Sequence, residues 1–185
     1  MNLEPFVAAA VQESPAYLNL AQSLDKACEL IHKAAAAGAR LIAFPETWLP
    51  GYPIWLDVAP EAGLWDHPPA KAAFARLFEN SVDLSGRDID PLKAAARETG
   101  STVVMGLHER DGGTLYNTLL YLGPDGRVLG KHRKLMPTYT ERLVWGRGDG
   151  STLTVVDTPV GRLGGLICWE HWMPSAGPPC TPKGN

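Results

Sequence analysis

One side chain that could do chemistry is the thiol of Cys168, in the segment GLICWEHW. A thiol becomes a nucleophile when it is deprotonated and exposed, usually near a cation or the start of a helix. The apolar run before Cys168 predicts a buried strand that ends at this residue. The polar turn after it would leave its first backbone N–H groups free to bind an anion. A lone cysteine is more often an inert core residue, so a catalytic role for Cys168 requires partners.

Two charged side chains follow other predicted strands. Glu46, in LIAFPETW, comes just after a buried strand, and open parallel sheets place ligand sites at the carboxyl ends of their strands. A carboxylate packed among aromatic side chains loses hydration, which suits a general base or acid. Lys134, in GKHRKLMPTYTER, lies where the chain leaves a strand, and its ammonium could stabilise a thiolate or an oxyanion. Glu141 follows closely enough to pair with Lys134.

These charged residues also have ordinary interpretations. A single glutamate is most often a solvated loop residue, and the basic cluster around Lys134 could be a solvated edge. Spacing alone does not show that the glutamate, the lysine and the cysteine meet in space.

The elements that must position these side chains follow from the apolar periodicity. The predicted strands cover residues 6–12, 40–45, 101–110, 115–123, 127–134 and a hairpin within 151–169 that turns near Thr158–Gly161. The first of these strands is expected to be buried and to run parallel to the second, because the connection between them is long enough for a helix. The sequence therefore predicts a mixed α/β domain with antiparallel strands in its second half.

Capping residues and breakers set the predicted helices and loops. Asn19 and Gln22 have the spacing of a capping box, and Gly38 is expected to stop the helix that follows. Further helices are predicted over 70–80 and from Asp90, as cap, to Gly100. Residues 48–69 and the GRGDG segment at 146–150 are predicted to be loops, since GRGDG lacks the flanking strand and helix of a phosphate loop.

Composition excludes several classes of protein. The chain has 185 residues, of which 45% are hydrophobic and 20% charged, with a net charge of −3, typical of one soluble domain. The sequence has no excess of basic residues that would indicate nucleic-acid binding. It also has no apolar run that would indicate a membrane span or a signal peptide. The three cysteines are odd in number and far apart, which favours reduced thiols in a cytoplasm. The five histidines are scattered without zinc-ligand spacing, so no metal site is expected.

Three separated motifs, taken together, resemble the nitrilase (carbon–nitrogen hydrolase) superfamily. They are FPETWLPGYP around Glu46, KHRKLMPTYTER around Lys134 and GGLICWEHWMP around Cys168, in that order, and the likeness extends over roughly residues 5–174. The resemblance implies an α-β-β-α sandwich and a Glu–Lys–Cys triad. Cys168 would be the nucleophile, Glu46 the general base and acid, and Lys134 the stabiliser of the tetrahedral intermediate.

The resemblance implies further features of the site. Glu141 corresponds to an additional active-site glutamate, and the backbone N–H of Trp169 would complete an oxyanion site. No metal or organic cofactor is implied. Relatives commonly self-associate, so a homo-oligomer is expected of the family, and a missing C-terminal part would remove some of its contacts from this chain.

The segments CWEHW and PGYPIW are more similar to the true nitrilase branch than to the amidase branches, although an amidase remains the alternative. The expected substrate is a nitrile, hydrolysed to a carboxylic acid and ammonia through a thioimidate and a thioester on Cys168. Aromatic residues near the motifs suit an apolar or arylaliphatic substrate, and the alternative for each ring is packing in the core. The residues expected to bind the substrate are four aromatic residues and one histidine: Trp48, Tyr52, Trp169, His171 and Trp172.

The resemblance stops after Pro174. Residues 175–185, SAGPPCTPKGN, carry no hydrophobic period and are expected to be a disordered tail beyond a family domain at 1–174. The C-terminal part of the family fold is then missing. This leaves the alternative of an inactive fragment that retains the triad.

Overall fold

A computed structural model describes residues 4–173, and the expected tail at 175–185 lies outside them. Seven strands and four α-helices follow one another in the order β1, α1, β2, α2, α3, α4, β3 to β7 in this part of the chain. The strands are Val7–Ala10, Ala39–Ala43, Thr102–Asp111, Thr114–Leu122, Val128–Arg133, Val156–Thr158 and Gly161–Leu163. The helices are Leu20–Ala36, Trp55–Val58, Pro68–Glu79 and Asp90–Thr99.

The first five strands form one sheet in the order β1-β2-β3-β4-β5. β1, β2 and β3 run parallel, as expected for strands joined through helices, whereas β4 and β5 are antiparallel neighbours. β5 therefore runs in the same direction as β2. Glu46, which follows β2, and Lys134, which follows β5, are accordingly placed at the same edge of the sheet. The predicted mixed α/β fold is confirmed.

Helices α1 and α4 cover one face of this sheet. The core between them consists of apolar side chains from α1, α4, β2, β3 and β4, among them Ile31, Leu92, Ile42, Met105 and Leu120. On the helices these residues recur at a spacing near 3.6, so one face of each helix is buried, whereas β3 and β4 have buried residues on both faces.

The β6–β7 hairpin lies against the other face. A Cβ atom built on Gly130 of β5 would lie 3.2 Å from Val156, and one on Gly165 would lie 2.8 Å from Leu119 of β4. Helices, sheet and hairpin thus give the α-β-β order expected of the sandwich over the described residues.

Helix ends agree with the local signals in most cases. The side chain of Asn19 accepts a hydrogen bond from the Gln22 N–H, and α1 ends just before Gly38, whose φ is +89°. Gly100 terminates α4 in the left-handed conformation. The prediction of Asp90 as the cap of α4 is wrong, because the helix already includes Asp90, which instead pairs with Arg87 and Lys93.

Two predictions about strands are wrong. β1 is an exposed edge strand, not a buried one: Val7 is 54% exposed because β1 has a hydrogen-bonded neighbour on one side only in the described chain. β7 ends at Leu163, so no strand leads into Cys168. Gly165, in the segment between β7 and Cys168, lies against β4, where an added Cβ would be 2.8 Å from Leu119. The predicted hairpin turn at Thr158–Gly161 is confirmed.

Candidate active site

Lys134 lies at the centre of a buried cluster of charged groups. Its Nζ atom lies 2.9 Å from Glu46 Oε1 and 2.7 Å from Glu141 Oε2, and the residue is only 2% exposed. Burial lowers the pKa of Lys134, but the hydrogen bonds to the two carboxylates outweigh it and raise the pKa above its ordinary value. The ammonium therefore stays charged and is shared between two glutamates.

Glu46 reaches Lys134 because the chain turns sharply across β3 after β2. The Phe44 N–H binds the Val104 carbonyl at 2.8 Å, so the sheet pairing continues to the residue two before Glu46. A Cβ on Gly106 would lie 2.0 Å from the carbonyl oxygen of Pro45. Only glycine at this point of β3 allows the backbone of the Glu46 turn to lie so close to the sheet.

Glu141 is fixed by a short 3-10 turn, Tyr139–Leu143. Its carboxylate accepts a 2.7 Å hydrogen bond from the Thr138 N–H, which closes a capping box at the start of the turn. The Tyr52 hydroxyl lies 3.4 Å from the other carboxylate oxygen. Burial, and then the charge of Glu141, raise the pKa of Tyr52, so the phenol keeps its proton.

Cys168 begins another 3-10 turn, Cys168–Trp172, and is exposed. Its φ of 56° lies in the left-handed region, which residues with a Cβ rarely adopt. Within residues 4–173, the thiol makes no hydrogen bond to Glu46 or Lys134. The structure thus joins Glu46, Lys134 and Glu141 by hydrogen bonds, whereas Cys168 lies outside this hydrogen-bonded cluster in the described residues.

The link between Cys168 and Lys134 is Glu170. Its buried carboxylate accepts hydrogen bonds from the N–H of Ile167 at 2.7 Å and from the N–H of Leu135 at 2.6 Å. Ile167 directly precedes Cys168, and Leu135 directly follows Lys134. The turn that carries the thiol is therefore tied to the chain that carries the ammonium.

The residues predicted to bind substrate occupy different surroundings. Trp48 is buried in the core, where its indole stacks edge-on against Phe44 and donates to the Glu13 carbonyl at 2.6 Å. Trp169 and Trp172 are 58% and 70% exposed, and their ring centroids lie 5.9 Å apart. His171 is also exposed, next to Trp172. Of the five, only Tyr52 makes a hydrogen bond to the charged cluster in the described chain, and substrate contacts for all five stay a prediction.

Three residues that hold the cluster were not identified from the sequence. Asn117 donates to Glu46 Oε1 at 2.6 Å and accepts the Lys134 N–H on its carbonyl at 2.8 Å. Gly148, in the GRGDG loop, binds the Lys134 carbonyl through its N–H, and a Cβ there would lie 2.3 Å from the Arg133 oxygen. Glu170 is the third. The only signal for Asn117 was a polar residue inside an apolar strand, and for Glu170 its position two residues after Cys168.

Within residues 4–173, no three His, Cys, Asp or Glu side chains converge as metal ligands. None of the helices there has the length and apolar character needed to cross a membrane.

The fold is that of known carbon–nitrogen hydrolases. The chain superposes on the structure of a carbon–nitrogen hydrolase from Helicobacter pylori G27 with a TM-score of 0.68 and 22% identity, over 91% of this chain and 54% of that one. An amidase from Nesterenkonia sp. gives a TM-score of 0.62 at 19% identity, over 92% of this chain and 59% of that one.

Sequence comparison agrees with the fold. A family model described as carbon–nitrogen hydrolase matches residues 7–180, so the chain belongs to the carbon–nitrogen hydrolase family. A nitrilase of Bradyrhizobium diazoefficiens is 44% identical over 91% of this chain and 52% of its own length. An aliphatic nitrilase of Rhodococcus rhodochrous is 45% identical over 90% of this chain and 44% of its own. The chain spans about half the length of the curated relatives it matches.

Proposed function

We propose that this chain hydrolyses nitriles to carboxylic acids and ammonia, with Cys168 as nucleophile. The observation that carries the proposal is the Lys134 ammonium, buried between Glu46 and Glu141 at 2.9 and 2.7 Å and linked by Glu170 to the turn of an exposed cysteine. The relatives named nitrilases support the nitrile as substrate. A reducing cytoplasm would keep the Cys168 thiol in the form that the reaction requires.

The first half-reaction forms a covalent bond between sulfur and the nitrile carbon. The Cys168 thiol loses its proton to Glu46, and the sulfur adds to the C≡N carbon while the proton is passed to nitrogen, which gives a thioimidate. A thiolate suits this step because it is a strong nucleophile at neutral pH, and the nitrile carbon is a weak electrophile.

The second half-reaction uses two water molecules. The first adds to the thioimidate carbon with Glu46 as general base, and the C–N bond breaks to release ammonia and leave a thioester. The second hydrolyses the thioester to the carboxylic acid and returns the thiol. The Lys134 ammonium stabilises the negative charge of the tetrahedral intermediates, a contribution typically of about 3–4 kcal/mol for one well-placed donor. Glu141 holds that ammonium in place.

The test is ammonia release by the purified chain from aliphatic nitriles, aromatic nitriles, arylacetonitriles and the matching amides. Cys168→Ala should release none. Cys28→Ala is the matched control, because Cys28 lies half-buried on α1 against the core, away from the charged cluster. It should retain the activity of the unaltered chain.

Two outcomes would contradict the proposal. Ammonia from amides but not from nitriles would assign the chain to the amidases of the family. Folded protein that releases no more ammonia than Cys168→Ala from any substrate would reject hydrolysis by this chain.

A further inference from the structure

The carboxylate of Glu170 is buried and engaged by three hydrogen-bond donors. Besides the N–H groups of Ile167 and Leu135, it is contacted by His132 Nε2 at 2.8 Å. Glu170 is 0% exposed. Burial raises the pKa of Glu170, but the hydrogen bonds from His132, Ile167 and Leu135 outweigh it and lower the pKa, so the carboxylate stays ionised.

The donors lie on the two segments that carry the reacting groups. Ile167 and Glu170 are on either side of Cys168, and the Glu170 N–H also binds the Ile167 carbonyl at 3.1 Å. Leu135 follows Lys134, and His132 is in β5 just before it. One carboxylate thus joins the end of β5 to the turn of the nucleophile.

The conformation of Cys168 needs such support. A residue with a Cβ at a φ of 56° is held there only when surrounding contacts outweigh its local preference, at a cost on the order of 1–3 kcal/mol. The bonds from Glu170 to Ile167 close the turn around Cys168, and its bond to Leu135 sets the turn's position relative to Lys134.

We propose that Glu170 is a positioning residue that sets the placement of the Cys168 thiol relative to the Lys134 ammonium. This inference rests on the proposed function. Glu170 does not meet the substrate, because its carboxylate is buried and each of its oxygens is occupied by donors. It acts on the reaction through the position of the cysteine, and displacement of a reacting group by about 1 Å can cost about 10²-fold in rate.

The decisive variant is Glu170→Gln. It keeps the size of the side chain, but the amide NH₂ must face one of three groups that are themselves donors, so at least one link is broken. We expect kcat for nitrile hydrolysis to fall by about 10- to 100-fold. KM should change much less, because the substrate does not touch this residue.

The matched control is Glu109→Gln. Glu109 is also a buried carboxylate held by three donors, and two of them, Lys131 and Arg133, are on β5. It makes no hydrogen bond to the Cys168 turn in the described chain. Glu109→Gln should destabilise the fold as Glu170→Gln does and leave kcat close to that of the unaltered chain.

A second measurement does not depend on nitrile hydrolysis. The rate at which iodoacetamide alkylates Cys168, followed peptide by peptide by mass spectrometry against pH, reports the surroundings of the thiol directly. We expect the pH profile to change in Glu170→Gln and to stay unchanged in Glu109→Gln. A chain that hydrolyses no nitrile but shows this difference would reject the proposed function and retain the role of Glu170.

Glu170→Asp covers the case in which the glutamine variant does not fold. It keeps the charge and shortens the side chain by one methylene, so it should draw the turn out of place and lower kcat by about tenfold, whereas Glu109→Asp should not. Folded Glu170 variants with unaltered kcat and an unaltered alkylation profile would overturn the proposal. An equal loss of kcat in the Glu109 variants would also overturn it.

Discussion

Lys134 is the residue on which the electrostatics of the site depend. A buried ammonium between two carboxylates is stable only as a set, because each charge compensates for the lost hydration of the others. The sequence placed Lys134 at the end of a strand, but its burial depends on loops far away in the chain.

Replacing Lys134 by methionine tests whether both the stability of the fold and the activity depend on this cluster. The variant keeps the length of the side chain but leaves Glu46 and Glu141 close together without a cation. We expect the free energy of unfolding in urea to fall by about 3–5 kcal/mol, with complete loss of ammonia release.

Lys26→Met is the matched control, because Lys26 forms an exposed ion pair with Glu13 at 3.5 Å. That change should cost no more than about 1 kcal/mol. Equal stability of the two variants would show that the buried cluster contributes nothing to folding.

His108 gives the fold a dependence on pH. Trp145 donates its indole N–H to Nδ1 at 2.9 Å, so the Nε2–H donates to the Gly51 carbonyl at 3.1 Å. Burial lowers the pKa of His108 from 6.5 to about 3. Between these pH values the unfolded chain binds a proton that the folded chain does not, so stability falls as pH falls.

The expected slope from His108 alone is up to about 1.4 kcal/mol per pH unit below pH 6.5. His108→Gln can accept from Trp145 and donate to Gly51 without titrating. Urea unfolding between about pH 4.5 and 7 should therefore show a shallower decline for the variant. The same slope in both proteins would mean that His108 is not the group responsible.

At the scale of elements, the approach of the β2 turn to β3 positions Glu46. Gly106→Ala would place a methyl group against the Pro45 carbonyl, with no flexible side chain to give way. We expect a loss of about 1–3 kcal/mol in urea unfolding and lower activity, because the turn must move away from Lys134.

The turn after β3 provides the control for Gly106. A Cβ on Gly113 meets nothing within 4 Å, so Gly113→Ala should change stability by no more than about 0.5 kcal/mol. Unaltered activity in Gly106→Ala would show that the close approach does not position Glu46.

Elements were predictable where the signal is local. Asn19 and Gln22, or Gly100, determine helix ends through neighbouring backbone groups, and the apolar runs of β3 and β4 are visible in their own residues. The supports of the site are not local. Asn117 binds a carboxylate 71 positions away, and Glu170 an N–H group 35 positions away, so neither role is visible in its own segment.

Whether a whole strand is buried could also not be predicted from the sequence. The apolar residues of β1 are typical of an interior strand, yet the exposure of β1 depends on whether neighbouring strands flank it in the sheet. The same holds for the segment before Cys168, where the predicted strand does not form and Gly165 lies against Leu119 of β4.

At the scale of the whole molecule, the two edges of the main sheet differ. The outer edge of β5 is covered by the segment that follows the Glu141 turn: Thr152 accepts the Arg133 N–H at 3.0 Å, and Thr154 donates to the Lys131 carbonyl at 3.0 Å. β1, at the other edge, is exposed and apolar. Open apolar edges pair readily with other chains.

We therefore expect the chain to self-associate through β1, in line with the homo-oligomer expected from the sequence. Val7→Lys places a charge on this edge and should lower the association measured by sedimentation velocity. Val128→Lys is the matched control, since Val128 is 46% exposed but lies on the covered edge. Equal effects of the two lysines, or no effect of either, would exclude β1 as the contact.

The sharing of one ammonium by two carboxylates also bears on how the reaction would finish. A nitrile is uncharged and enters such a site without penalty, whereas the acid formed from it is an anion. Two carboxylates, Glu46 and Glu141, face one ammonium, Lys134, so the cluster has a net charge of about −1. This negative charge would repel the carboxylate product and favour its departure. Carboxylic acids should accordingly inhibit far less than uncharged amides with the same side chain.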